Sequence, residues 1–193
     1  MKKILPIVEG DGDMRAVPVL IRKILHANNL FGVDLHPAQK RNDYSKLHNT
    51  FDNYFSAAIK WEAPILWVLD FDCKQCACVK TESQKLYSRA DALRPGWPFK
   101  VAFIVKEFEA LFLAEQQSTK AVLGIPEDFN FSPNPETIKG AKGEISRALP
   151  VGKAYKETVH QEKIAAQLDL NILRNVSSDF RHLERSVLYL ARL

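Results

Sequence analysis

Short apolar runs alternate with stretches in which apolar residues recur every three or four positions, and this rhythm extends over the first 115 residues. "KKILPIV" reads as a buried strand. "MRAVPVLIRKILHANN" reads as a helix, with Val17, Leu20, Ile21, Ile24 and Leu25 at helical spacing. Asn28 and Asn29 close it, because asparagine tolerates left-handed geometry. Pro18 implies a helix start close by, since proline lacks an N–H and crowds the preceding turn. "GVDLHP" predicts a short strand, and "YSKLHNTFDNYFSAAIKW" a second helix with Leu47, Phe51, Tyr54, Phe55 and Ala58 along one side. "APILWVLDFD" is the clearest strand; "TESQKLYSRADALR" follows as a third helix, "PFKVAFIVK" as a further strand and "EFEALFLAEQ" as a helix directly after it. Such alternation predicts an α/β fold with an open, mainly parallel sheet flanked by helices. Sites in these sheets lie beyond the carboxyl ends of the strands.

The pattern changes after about residue 116. "LGIPEDFNFSPNPETIKG" holds three prolines and two glycines within 18 residues and reads as a surface connector. Beyond it "AKGEISRAL", "HQEKIAAQLDLNILRN" and "SSDFRHLERSVLYLARL" are helical in pattern, with Ser177 or Ser178 as cap of the last. The expected organisation is a core over 1–115 and a helical C-terminal subdomain over 116–193 packed on it.

A chain of 193 residues with 46% apolar content can bury a core. Lys and Arg total 27 against 23 Asp and Glu, a net charge of +4 that permits an anionic partner without requiring one. No apolar run reaches 18 residues and "MKKILPIVEG" lacks the form of a signal peptide, so no membrane association and a cytoplasmic location are expected. Cys73, Cys76 and Cys78 stand together in "CKQCACVK", but no second CxxC occurs and His48 lies 25 residues upstream of Cys73. They are better read as reduced thiols near a strand end than as a zinc site.

Acidic residues gather at three of the expected strand ends: Glu9, Asp11 and Asp13 after the first, Asp70 and Asp72 in "LDFD", and Glu107 and Glu109 in "VKEFEAL". A single DxD is often a solvated loop or a helix cap; three clusters at three strand ends point further. In an extended segment Asp70 and Asp72 share a face. If the strands are neighbours, the carboxylates converge, and their mutual repulsion raises their pKa values unless a divalent cation supplies the missing charge. Oxygen ligands without cysteine or histidine favour Mg²⁺ or Mn²⁺. Gly10 and Gly12 allow a tight strand-to-helix turn and close approach of a phosphate to backbone N–H groups. No Gly-Lys-Ser or Gly-Lys-Thr follows, so this is not a P-loop.

The segments "ILPIVEGDGD…VPVLIRKIL", "ILWVLDFDC" and "VAFIVKEFEALFLA" resemble the TOPRIM fold as carried by a family of small proteins of unassigned function. That family is similar to the nuclease half of OLD-type proteins and to the TOPRIM effector subunit of the PARIS phage-defence system. The tail "YKETVHQEKIAAQLDLNILRNVSSDFRHLE" also resembles the family's helical C-terminus. The resemblance implies a glutamate after the first strand, here Glu9, and a DxD after a later one, here Asp70 and Asp72. The usual third signature is glutamate followed by Ala-Trp; here Glu109 and Ala110 are followed by Leu111.

Phosphodiester cleavage needs a cation to polarise the phosphoryl group and a side chain to move a proton. Asp70 and Asp72 are the expected metal ligands, Glu9 the general acid/base and a further ligand, and Glu109 a residue that holds the same or a second ion. Glu107 competes with Glu109; Asp11 and Asp13 rank lower, as capping or outer groups. Lys142, Lys156 and Arg181, in the stretches that resemble the family, are the candidates for contacting the phosphates of DNA or RNA. His160 and His182 are expected to make structural hydrogen bonds. A Mg²⁺-dependent nuclease, acting in phage defence with an ATPase partner, is the reading that results. Its alternatives are a non-catalytic or silenced partner-binding module of an ATPase complex, and a DxD phosphatase or phosphotransferase. The latter is disfavoured because "DFDCKQ" is neither near the N-terminus nor followed by Gly-Thr.

Overall fold

The computed structural model describes residues 2–41, 44–72, 78–132, 138 and 140–193, with the backbone alone at 44–48. Cys73, Cys76, Lys139 and the side chains of Leu47 and His48 therefore lie outside the described residues. The sheet comprises β1 (Lys2–Val8), β2 (Val33–Leu35), β3 (Gln39–Lys40), β4 (Ile65–Phe71) and β5 (Phe99–Val105). The helices are α1 (Asp13–Ala27), α2 (Tyr44–Ala58), α3 (Val79–Leu93), α4 (Ala110–Ala114), α5 (Gln116–Leu123), α6 (Ala141–Ala148), α7 (Glu157–Gln167), α8 (Leu170–Val176) and α9 (Ser178–Arg192).

Among the described residues every strand pairing is parallel, as the alternation of elements predicts. β4 lies between β1 and β5, and β2 and β3 pair in turn along the other edge of β1. The three strands that carry the acidic clusters are thus neighbours. Side chains alternate across the sheet, and the two faces fill separate cores. Ile4, Val8, Leu66, Val68, Ala102 and Ile104 pack with α1 and with the C-terminal helices, including Ile164 of α7 and Phe180 and Leu183 of α9. Leu5, Ile7, Ile65, Trp67, Leu69, Val101 and Phe103 pack against α2 and α3. Asp70 has the parity of Leu66 and Val68, so the period-two rule aims it at the α1 and α7 side. On the opposite face Trp67 meets Phe51 edge-on with centroids 4.9 Å apart and Phe99 at 5.7 Å, geometries worth about 0.5–1.5 kcal/mol each beyond burial.

Several boundaries differ from the sequence reading. Pro18 lies well inside α1 and is buried, rather than near its start; the missing N–H would have served the Met14 carbonyl, and packing of this apolar face outweighs that loss. "EFEALFLAEQ" is not one helix: Glu115 interrupts it and accepts from Gln117 N at 3.0 Å, opening α5. "HQEKIAAQLDLNILRN" likewise breaks at Asp169, whose carboxylate accepts from Asn171 N at 2.7 Å and starts α8. In both cases an acidic side chain satisfies orphan N–H groups and competes with continuation of the helix. Asn28 and Asn29 do close α1, with Asn29 left-handed at φ 58°. Ser177 caps α9 by accepting from Phe180 N. The β5 edge is shielded by side chains: Asp179 accepts from Val105 N at 2.7 Å, and His182 Nε2 pairs with the Val101 carbonyl at 3.1 Å.

Helix α7 lies directly against the start of α1. A methyl group at Gly12 would collide with the Gln161 amide and stand 2.9 Å from Glu157 Cβ, both on α7. Gln161 is buried and cannot swing away freely. Gly12→Ala is expected to destabilise the protein by about 1–3 kcal/mol, measured as a lower urea midpoint at unchanged slope. A loss under about 0.5 kcal/mol would show that the α1–α7 contact can relax.

Candidate functional site

The carboxyl ends of β1, β4 and β5 bring the acids together. Glu9 directly follows β1, and the turn through Gly10 and Gly12 leads into α1 at Asp13. Gly12 is helical, at φ −66° and ψ −42°, so it serves closeness to α7 rather than left-handed geometry. Gly10 N donates to Asp13 Oδ2 at 2.8 Å, which folds the Asp13 carboxylate back over the turn. After β5 the chain turns at Lys106, whose φ of +72° is costly for a residue with a Cβ. That turn delivers Glu109 to the start of α4 with 0% exposure.

Four acids feel one another electrostatically. Burial pushes Asp70 well above the ordinary carboxylate range, and the negative charges of Asp13, Glu9 and Glu109 push it further, against the pull of Lys142. Burial raises Glu109 to about 7, with Asp13 adding to the rise while Lys142 and the Gln161 hydrogen bond oppose it. Asp13 is raised chiefly by burial, against its bond from Gly10. Lys142 Nζ stands 2.8 Å from Glu157 Oε1. Its own burial would lower its pKa, but Glu109, Glu157 and Asp70 outweigh that and keep it charged. Glu109 Oε1 accepts from Tyr155 OH at 3.0 Å and from Gln161 Nε2 at 2.8 Å, while its Oε2 is buried with no hydrogen-bond partner among the described residues. Burial and the nearby Glu109 raise the Tyr155 phenol, so it remains a neutral donor.

The other sequence candidates stand elsewhere. Asp72 is 65% exposed, 3.8 Å from Lys106 Nζ, and Asp11 is 68% exposed in a 2.8 Å pair with Lys40. Glu107 Oε2 accepts from Lys142 N at 3.0 Å and so caps α6. Lys142 itself faces the acids rather than an open surface. Lys156 is exposed, and its backbone N donates to His160 Nδ1. Arg181 donates to the Arg174 carbonyl at the end of α8 at 2.9 Å. Tyr155, Glu157 and Gln161 were not among the sequence candidates. Gln161 did carry a signal: with Ile164, Ala165 and Leu168 it occupies the i, i+3, i+4, i+7 face of α7, a polar residue in an apolar stripe.

Among the described residues, no group of three or more His, Cys, Asp or Glu is already arranged as a cage for an ion. The donor set is nonetheless all oxygen, and the unpartnered Glu109 Oε2 is the kind of atom a hard cation takes.

A parallel sheet flanked by helices, with acids gathered at adjacent strand ends, defines the chain as an α/β domain of the open-sheet class. The chain belongs to the family described as "Domain of unknown function (DUF4276)", whose model matches residues 8–188. It is similar in structure to the C-terminal region of the Burkholderia pseudomallei OLD protein, with a TM-score of 0.54 and 13% identity over 99% of each chain. The C-terminal region of the Xanthomonas campestris pv. campestris OLD protein aligns over 98% of each chain at 11% identity and a TM-score of 0.49. At such identities the Burkholderia likeness is one of fold. No curated protein matches the chain. Among the described residues, no helix is long and apolar enough to cross a membrane.

The raised carboxyls make stability pH-dependent in a definite direction. Unfolded, Glu109 loses its proton near 4.5; folded, near 7. Between those values the folded state binds the extra proton, so without divalent cations stability should fall as pH rises from about 4.5 to about 7. The loss from Glu109 is roughly 3 kcal/mol, and Asp70 acts in the same direction. Urea unfolding in chelator across that range checks it: Glu109→Gln should flatten the slope, and stability that rises with pH would exclude neutral buried carboxyls here.

Proposed function

We propose that this protein is a Mg²⁺- or Mn²⁺-dependent nuclease that hydrolyses phosphodiester bonds. The observation that carries the reading is the gathering of buried Glu109 and Asp13 with partly buried Asp70, and Glu9 beside them, at three adjacent parallel strand ends. These carboxylates cannot all ionise against the Lys142 ammonium, and a divalent cation would supply the missing charge. Asp70, Glu109 and Glu9 would hold the ion, with Asp13 next to them. Asp72 would join by leaving Lys106, an exposed pair worth under about 1 kcal/mol. The bound ion supplies polarisation of a phosphoryl oxygen and stabilisation of the leaving oxygen.

The chain's own groups supply the remainder. Glu9, at the mouth of the glycine turn, moves the proton. Lys142, held charged between Glu109 and Glu157, presents an ammonium to the same phosphate. Lys40 and Lys106 flank the acids from the β3 and β5 sides, each paired with a solvent-exposed aspartate that a DNA or RNA phosphate can displace. Lys156 is exposed for such contact, whereas Arg181 would first have to release the α8 carbonyl. The resemblance to TOPRIM effectors extends the reading to phage defence alongside an ATPase partner.

Two linked measurements test it. Mn²⁺ should raise the melting temperature by binding only the folded form, and Asp70→Asn should remove most of that rise. Wild type with Mn²⁺ should cut at least one of DNA, tRNA or total RNA, alone or with an adjacent ATPase, and Glu9→Gln should cut roughly 10²–10⁴-fold more slowly while still binding. Equal cutting by both would place the activity elsewhere. No cutting, with equal binding of the ATPase by both, would favour a partner-binding module.

A further inference from the structure

We infer that Gln161 and Tyr155 are positioning residues of the metal centre: together they saturate one oxygen of Glu109 and leave the other, Oε2, as the atom that meets the cation. The inference deepens the proposed function and rests on its metal-centre reading.

Three observations carry it. First, Glu109 Oε1 accepts two bonds, from Gln161 Nε2 at 2.8 Å and Tyr155 OH at 3.0 Å, from two sites on the C-terminal part of the chain. A carboxylate with two donors on one oxygen has its plane and rotamer fixed, and its second oxygen then has a single direction. Second, that second oxygen is buried and has no hydrogen-bond partner among the described residues. An acceptor left so in a protein interior costs stability unless a ligand meets it. Third, Gln161 is itself 1% exposed and locked in place. Its Oε1 side packs against the Cα of Gly12, where any larger residue would evict it. Its amide also favours the charged form of Asp13, so one neutral side chain serves two like-charged acids, one on α1 and one at the start of α4. A neutral donor is the suitable chemistry: a lysine there would compete with the metal for both carboxylates, and a carboxylate would add to their repulsion. Tyr155 is steadied in turn by stacking on His160, with ring centroids 5.6 Å apart and planes 24° off parallel.

The test is Mn²⁺ affinity, measured by calorimetric titration of the metal-free protein, with no turnover needed. Gln161→Leu and Tyr155→Phe should each weaken Mn²⁺ binding by about tenfold or more. Tyr155→Phe keeps the ring and its stack, so it holds the question open if Gln161→Leu fails to fold. Because both residues act through Glu109, the cycle with Glu109→Gln is decisive: in that background Tyr155→Phe should change Mn²⁺ affinity by less than about threefold. Equal losses in both backgrounds would mean a general packing role and overturn the inference. Mn²⁺ binding to wild type that both variants leave intact would overturn it while the metal centre stands. No Mn²⁺ binding by wild type would overturn the two together.

Discussion

Glu109 sits without solvent contact, within electrostatic reach of Asp13 and Asp70, and much of the remaining architecture follows from having to hold it there. A carboxyl in that position stays protonated to about pH 7 or needs a counter-charge. Each unit of such a shift corresponds to about 1.4 kcal/mol between the two protonation states. The fold meets the demand with what lies at hand. Two neutral donors, Gln161 and Tyr155, occupy one oxygen, Lys142 stands across from the acids, and its own charge is secured by Glu157. Apolar side chains of the same volume would be more stable in this position, and the left-handed turn at Lys106 shows the same preference for placement over local ease.

The C-terminal helices are part of the centre rather than an appendage. α7 and α9 complete the core on the α1 face of the sheet, and the stretch from 155 to 161 supplies the groups that contact Glu109. Gly12 records how close that approach is. The likeness to the Burkholderia OLD C-terminal region, which spans 99% of both chains at 13% identity, is one of fold: strand order and helix placement tolerate wide exchange of side chains of similar volume.

Much was legible in the sequence, because the signals involved are local. Short continuous apolar runs located β1, β4 and β5, and period-two parity, once Leu66 and Val68 face one core, obliges Asp70 to face it also. Helical periodicity located α1, α3 and α9, and Ser177 capped the last as its side chain predicts. The parallel order of elements placed the acids at one end of the sheet. Helix breaks at Glu115 and Asp169 were hidden, because an acidic residue within an amphipathic run reads as a solvated face until its N–H partners are known.

The sequence by itself thus determined the strands, their parity, and the gathering of Glu9, Asp70 and Glu109 beyond them. Tertiary structure alone decided which acids are buried and which exposed: Asp72 and Asp11 pair with lysines in solvent, Glu107 caps α6, and Asp13 joins the centre. It also brought in Tyr155, Gln161 and Lys142 from regions 46, 52 and 35 residues distant from their Glu109 and Glu107 partners. The physical reason is range. Alternation and capping act over a few residues and leave their pattern in the sequence, whereas desolvation and charge–charge coupling depend on what packs overhead, and that is set only when α6 and α7 close over the sheet.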